Sequence, residues 1–412
     1  MIKRLFFLLL ISLALGTGSV KSDDFSVAAK HAIAVEVDSG KILYEKDANE
    51  AVPVASISKL LTTYLVYKHV ADGKLKWNDP VTISNYPYEL TTNYSISNVP
   101  LDARKYTVKE LLTALIVTNA NSPAIALAEK IGGTEPKFVD KMKKQLRDWG
   151  ISDAKLVNAT GLPNHVLGEN SYPKTVAEDK NLFSATDLAI VARHLLLEFP
   201  DVLKLTSKPS ATFAGQTIYS YNYMLKGMPY YREGVDGLFI GYSEKGGASF
   251  VATSIENQMR VITVVLNAEH SQGDDLAVFG ATTQLLQYLL TTFQKVQLLS
   301  KGKEGQIKPL PILDSPHKTV QLVAQKNLSL IKPANSKLKK AFHITKKTDT
   351  PTAPLRKGQV LAKATLQDPH LIGKGYLGET PSVNLVAQKN ISQSFFLRVW
   401  WNHFVRYVNR SL

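Results

Sequence analysis

The stretch PVASISKLLTTYL, residues 53–65, decides how the rest of the chain is read. It opens a longer run, SISKLLTTYLVYKHVADG, in which Leu60, Leu61, Tyr64, Leu65 and Val70 share a helical period and Gly73 supplies the stop. That pattern predicts a buried helix with Ser56 and Lys59 at its start. Their i, i+3 spacing puts both side chains on one face of one turn. A serine hydroxyl is a poor nucleophile until a base removes its proton, and a lysine whose pKa is depressed by burial is such a base. A helix N-terminus also aims backbone N–H groups at developing negative charge. On its own, Ser-x-x-Lys is more often an N-cap followed by a surface lysine, so the surroundings must decide.

Upstream, HAIAVEVDSGKILYEKDANE (residues 31–50) reads as a hairpin about Asp38-Ser39-Gly40. Downstream, helices dominate. Thr107 and Glu110 form a capping box before LLTALIV, and SPAIALAEKIGG (122–133) has Pro123 near its start and glycines at its stop. EPKFVDKMKKQLRDWG (135–150) is amphipathic, and Ser184 with Asp187 opens a further helix. ASFVATSI and MRVITVVLNA then read as antiparallel strands around Glu256-Asn257-Gln258, and AVFGATTQLLQYLLTTF (277–293) closes the unit as a helix. A hairpin, a helical insert, strands and a last helix predict an α+β fold with helices packed on an antiparallel sheet.

Composition changes near residue 294. Residues 294–388 carry short alternating runs such as TVQLVAQ and SVNLVAQ and predict a small all-β domain, with KKTDTPTAPLRKGQ (346–359) as an exposed loop. In the terminal ISQSFFLRVWWNHFVRYVNRSL, Phe396, Leu397, Trp400, Trp401, Phe404, Val405, Tyr407 and Val408 fall on one side of a helical wheel. Arg398, Asn402, His403, Arg406, Asn409 and Arg410 fall on the other, with Phe395 and Val399 as exceptions. This is the pattern of a helix lying in a membrane interface.

At the other end, Lys3 and Arg4 precede an apolar run from Leu5 to Leu15, with Val20 and Ser22 at the −3 and −1 positions of a cleavage site. The run is short for a membrane span and reads as a secretory signal peptide. The expected organisation is a signal peptide at 1–22, an α+β domain at 23–293, a β domain at 294–388 and an amphipathic anchor at 389–412. The expected location is the outer face of the cytoplasmic membrane.

The net charge of +14 suits an anionic membrane face or wall polymer, and export argues against nucleic acid as a partner. With no cysteine, disulfides, thiolate metal sites and a cysteine nucleophile are excluded. No histidine pair has zincin spacing, so neither a metal nor another cofactor is expected. His31, His165 and His270 invite a triad reading, but no Gly-x-Ser-x-Gly elbow accompanies them.

With its context, PVASISKLLTTYL resembles the acylation motif of low-molecular-mass penicillin-binding proteins, the serine-type D-alanyl-D-alanine carboxypeptidases. VTNANSPAIALAEKIGG resembles the segment bearing the family's Ser-x-Asn triplet, with Asn119-Ala120-Asn121 at that place. LVNATGLPN (156–164) resembles another family segment and accounts for the sequon Asn158-Ala159-Thr160. GVDGLFIGYSEKGG (234–247) matches the frame of the family's Lys-Thr-Gly strand, with Phe239-Ile240-Gly241 at its centre.

The resemblance implies that Ser56 attacks the carbonyl between two D-alanines of a peptidoglycan stem peptide, with Lys59 as base. It also implies β-lactams as covalent inhibitors and an oxyanion hole from the N–H groups of Ser56 and Tyr242. Phe239, Ile240, Gly241 and Tyr242 are the expected substrate wall; Asn119 and Asn121 complete the catalytic set. The chain departs from the pattern twice. Asn119 stands where a serine hydroxyl would pass protons, and an amide does this poorly. Phe239 and Ile240 replace a cation and a hydroxyl, and Lys245 lies six residues beyond Phe239. Reduced turnover is therefore expected. The alternative is a pseudoenzyme that binds wall peptides or a protein partner; a β-lactamase fits less well, because no deacylating glutamate is identifiable.

Overall fold

The computed structural model describes residues 25–243, 246–270, 274–337 and 341–411, and side chains as far as Asn409. The expected signal peptide, Lys245 and the Arg410 side chain lie outside the described residues. The hairpin forms as the sequence predicts: β1 (Ala29–Glu36) and β2 (Ile42–Lys46) meet through a turn in which Glu36 accepts from the Ser39 N–H at 2.7 Å. Three later strands join them: β3 (Gly237–Ser243), β4 (Gly247–Glu256) and β5 (Met259–Ala268). The antiparallel order is β2-β1-β5-β4-β3, with Ala29 opposite Ala268 and Phe239 opposite Val251. β3 is therefore an edge strand whose outer N–H and C=O groups face away from the sheet.

Strand alternation divides the core between the two faces of this sheet. Ile33, Val35 and Val251 join the helical cluster; Ala32, Ala34, Phe250 and Ala252 join the opposite one. On the helical side lie α1 (Lys59–Ala71), α2 (Val108–Val117), α3 (Asn121–Gly132), α4 (Glu135–Asp148) and α5 (Ala185–Glu198). Both expected capping boxes are present, Thr107 with Glu110 and Ser184 with Asp187. The opposite face is covered by α6 (Ala277–Thr292), which buries Phe279, Leu285 and Leu289.

The chain then leaves α6 directly into a strand, Phe293–Leu299, that pairs with Leu328–Pro333. A four-stranded sheet follows with its own apolar core, and the two TVQLVAQ-like runs contribute neighbouring strands of it, Leu322–Ala324 and Ser382–Ala387. The 346–359 loop is mostly exposed, but Pro351, Ala353 and Leu355 tuck inward. The β1–β2 hairpin is tied to this second region. Lys41 donates to Ile331 O at 2.6 Å and to Asp368, which also accepts from Tyr376 OH at 2.7 Å. Lys295 reaches back to Glu36 at 2.9 Å and Asp38 at 3.0 Å.

The terminal helix α7 (Phe396–Ser411) turns Asn402 and Arg406 inward. Asp314, whose side chain is fully buried, accepts two hydrogen bonds from Arg406 at 2.9 and 3.0 Å and lies 3.2 Å from His403. The aromatic side is left outward, with Trp400 65% and Tyr407 70% exposed.

Candidate active site

The sequence places Ser56 and Lys59 together at the start of the helix. Ser56 lies on a 3-10 turn, Ala55–Ser58, that feeds α1. Side chains three apart eclipse in a 3-10 turn. Lys59 thus sits over Ser56 and donates to its Oγ at 2.7 Å. The tight entry requires Ala55 at φ 45°, which is costly for a residue with a Cβ.

A brace holds it there. Gly161, at φ +84°, packs so closely that a Cβ would fall 1.8 Å from Ala55 O. The Asn158 side chain organises that segment, accepting from the N–H groups of Thr160 at 3.1 Å and Gly161 at 2.6 Å. Thr62 of α1 donates to Ala159 O at 2.7 Å, and the buried Glu135 accepts from Ala159 N–H at 2.8 Å. Burial pushes the Glu135 carboxyl up to about 7 despite that bond. The sequon at Asn158 is therefore a buried turn.

Lys59 is fully buried, and loss of water alone pushes its ammonium well below the ordinary lysine value. Among the described residues no carboxylate pairs with it. A short hydrogen bond to Ser56 and a depressed pKa are the two properties a general base for that hydroxyl needs.

The edge strand β3 closes the site from the other side. Gly241 permits the approach: a Cβ there would meet Val54 O at 2.6 Å and Ile57 N at 3.2 Å. Asn119 adopts φ 56°, a left-handed conformation that asparagine tolerates. Its Nδ2 donates to Ile240 O at 2.9 Å, stitching the α2–α3 turn to the strand. Ile240 O thus points off the edge of the sheet, and the N–H of Tyr242, two residues on, shares that edge. Asn121 Nδ2 donates to Ser97 O at 2.8 Å.

These elements enclose a cavity of about 480 Å³. Ser56, Asn119, Asn121, Ile240, Gly241 and Tyr242 line it. Phe239, expected at the substrate, does not. It is 1% exposed and packed in the helical-side core, because neighbouring residues of a strand point to opposite faces. His31, which meets Asp47 O at 2.9 Å, His165 and His270 are not among the lining residues. The sequence offered no motif for several further walls, Ser95, Ile96, Ser97, Tyr221, Tyr223, Asp275, Leu276 and Phe279. They come from loops and a helix start that only the fold brings together; Ser97, for one, is held by donating its hydroxyl to Thr118 O at 2.6 Å.

Known proteins give this geometry a setting. Residues 17–270 match the family model of D-alanyl-D-alanine carboxypeptidase, and residues 293–393 match the C-terminal domain of penicillin-binding protein 5. The chain is 26% identical over 353 residues to the D-alanyl-D-alanine carboxypeptidase DacF of Bacillus subtilis (strain 168), covering 84% of this chain and 83% of that one. Among solved structures it is similar to a peptidoglycan synthesis regulatory factor (PBP3) from Streptococcus pneumoniae, at 49% identity and a TM-score of 0.84, covering 89% of this chain and 100% of the other. It is also similar to the ampicillin-bound form of penicillin-binding protein D2 from Listeria monocytogenes, at 27% identity and a TM-score of 0.53, covering 65% and 98%.

Proposed function

The chain belongs to the D-alanyl-D-alanine carboxypeptidase family, and we propose that Ser56 carries out the family's acyl transfer here on peptidoglycan stem peptides. The observation that carries this reading is the 2.7 Å hydrogen bond from a fully buried, pKa-depressed Lys59 to Ser56 Oγ. Neutral Lys59 takes the Ser56 proton as Oγ attacks the carbonyl carbon between the two D-alanines. The oxyanion faces the N–H groups of Ser56 and Tyr242, which stabilise charge without side-chain help. The C–N bond breaks, the leaving amine takes a proton from Lys59, and water then releases the acyl group.

Asn119 has no hydroxyl proton to relay, and one of its amide N–H groups is committed to Ile240 O. Turnover is therefore slow, by roughly 10²–10⁴ where a proton carrier is lost. A D-alanine release assay on purified protein and on Ser56→Ala tests this. Slow release that vanishes in the variant is expected; no release from the parent chain would favour peptide binding without turnover. β-Lactams, which present the same kind of carbonyl, acylate Ser56.

The same reading places the protein at the outer face of the cytoplasmic membrane, exported by its first 22 residues and held by α7. Its support is the outward aromatic side of α7, opposite the Asp314 clamp. No helix among the described residues is long and apolar enough to cross a membrane. Deleting residues 391–412 moves the mature protein from the membrane to the soluble fraction; unchanged fractionation with the signal peptide cleaved would refute the anchor.

A further inference from the structure

The cavity beside Ser56 takes its lining from both sides of the sheet. Ser56 and Asn119 stand on the helical side, whereas Ala248 and Phe279 belong to the core on the α6 side. The space therefore continues past the edge strand β3 to a second lobe, walled by the start of α6 and by the loop that carries Tyr221 and Tyr223.

That lobe has its own chemistry. Tyr223 leans on Phe279 with ring centroids 5.7 Å apart, and Tyr230 packs on the same Phe279 ring at 5.4 Å, so the Tyr223 ring is held in place. Tyr221 is 45% exposed at the rim. Asp275, just ahead of α6, also lines the cavity and is the charged member of the described lining. Its carboxylate has no ion-pair partner among the described residues. The faces of tyrosine rings attract cations, and a carboxylate beside them adds to that attraction. An ammonium on a flexible apolar stem suits this combination, with its methylenes on the rings and its charge at the carboxylate.

A stem peptide carries such a group. The residue ahead of its two D-alanines is a diamino acid whose side-chain amine is free and charged until cross-linking turns it into a neutral amide. We propose that the lobe holding Asp275 and Tyr223 receives this free ammonium, so that the site prefers stems not yet cross-linked through that amine. The inference rests on Ser56 being the residue that receives the stem peptide, and it names the residue that recognises the peptide's side arm. Asp275 acts on binding and takes no part in bond breaking; the terminal carboxylate of the stem is unaffected.

Binding to the Ser56→Ala protein tests this without interference from turnover. Isothermal titration compares Nα-acetyl-L-Lys-D-Ala-D-Ala, whose side-chain amine is free, with the Nα,Nε-diacetyl peptide; both end in a free carboxylate. The free amine is expected to bind about fivefold more tightly at low salt, the scale of a partly exposed ion pair with a cation–π contact. The advantage should shrink as salt is raised. Asp275→Asn is expected to remove it. Asp274→Asn is expected to keep it, since Asp274 is exposed and its Oδ1 accepts from the Leu276 N–H at 3.0 Å, a bond that asparagine can also accept. Equal binding of the two peptides, tighter binding of the diacetyl peptide, an advantage that survives Asp275→Asn or is lost equally in Asp274→Asn, or no binding of either peptide overturns the proposal. Penicillin labelling of Ser56 in the parent chain is read separately, so failure of this proposal and failure of acyl transfer are told apart.

Discussion

Lys59 is useful as a base because burial makes its proton costly. The ordinary lysine value is 10.5, and Lys59 lies well below it for want of water. Its neutral, proton-accepting form is thus populated at pH values where a surface lysine is charged. Ser56 acylation should rise with pH as Lys59 deprotonates and level off well below pH 10.5; a rate still climbing at pH 10 would contradict the assignment. Lys59→Arg keeps a cation but no usable base, since arginine does not deprotonate in proteins, and should lower the acylation rate by roughly 10²–10⁴. At this scale the sequence was legible where local spacing sufficed, as with Ser56 and Lys59. It was not legible at Phe239, because the segment's frame aligned while the face of the strand it occupies depends on the finished sheet.

Among elements, the segment around residues 158–162 matters most to the nucleophile, although none of its polar side chains reaches the reacting centre. Its tight contact with Ala55 O is open only to glycine at 161, which is also at positive φ. Gly161→Ala should therefore destabilise the protein by on the order of 2–3 kcal/mol, lowering Tm by roughly 5–10 °C. It should also slow acylation disproportionately, because the turn that aims Ser56 is what shifts. A variant with parental Tm and parental acylation rate would show that the contact does not constrain the turn. The hairpin, the two capping boxes and the last helix were readable because their signals are local: turn residues, cap spacing and apolar period. The 3-10 entry of α1 was not, since it is imposed by a partner about a hundred residues away in the chain.

At the scale of the whole molecule, the α+β unit and the β region are joined by buried polar contacts as well as by the chain. The side chains of Lys41 and Asp368 are each 1% exposed and paired across 327 residues of sequence. Burial lowers the Lys41 pKa, and the hydrogen bond and charge of Asp368 oppose that. A pair so buried is costly to break from one side, by about 3–5 kcal/mol, so it fixes how the hairpin seats on the β region. No composition or periodicity signal marks such a pair in advance; the β region itself was visible only as a change of texture near residue 294. What unites these scales is the claim that a braced turn presents Ser56 to a buried base as an acyl acceptor. Peptide mapping by mass spectrometry after incubation with a labelled penicillin tests that claim most directly. A penicilloyl mass on the tryptic peptide of residues 47–59, absent from the Ser56→Ala protein, is the predicted result; no adduct on the folded parent chain, or one that persists in the variant, would contradict it.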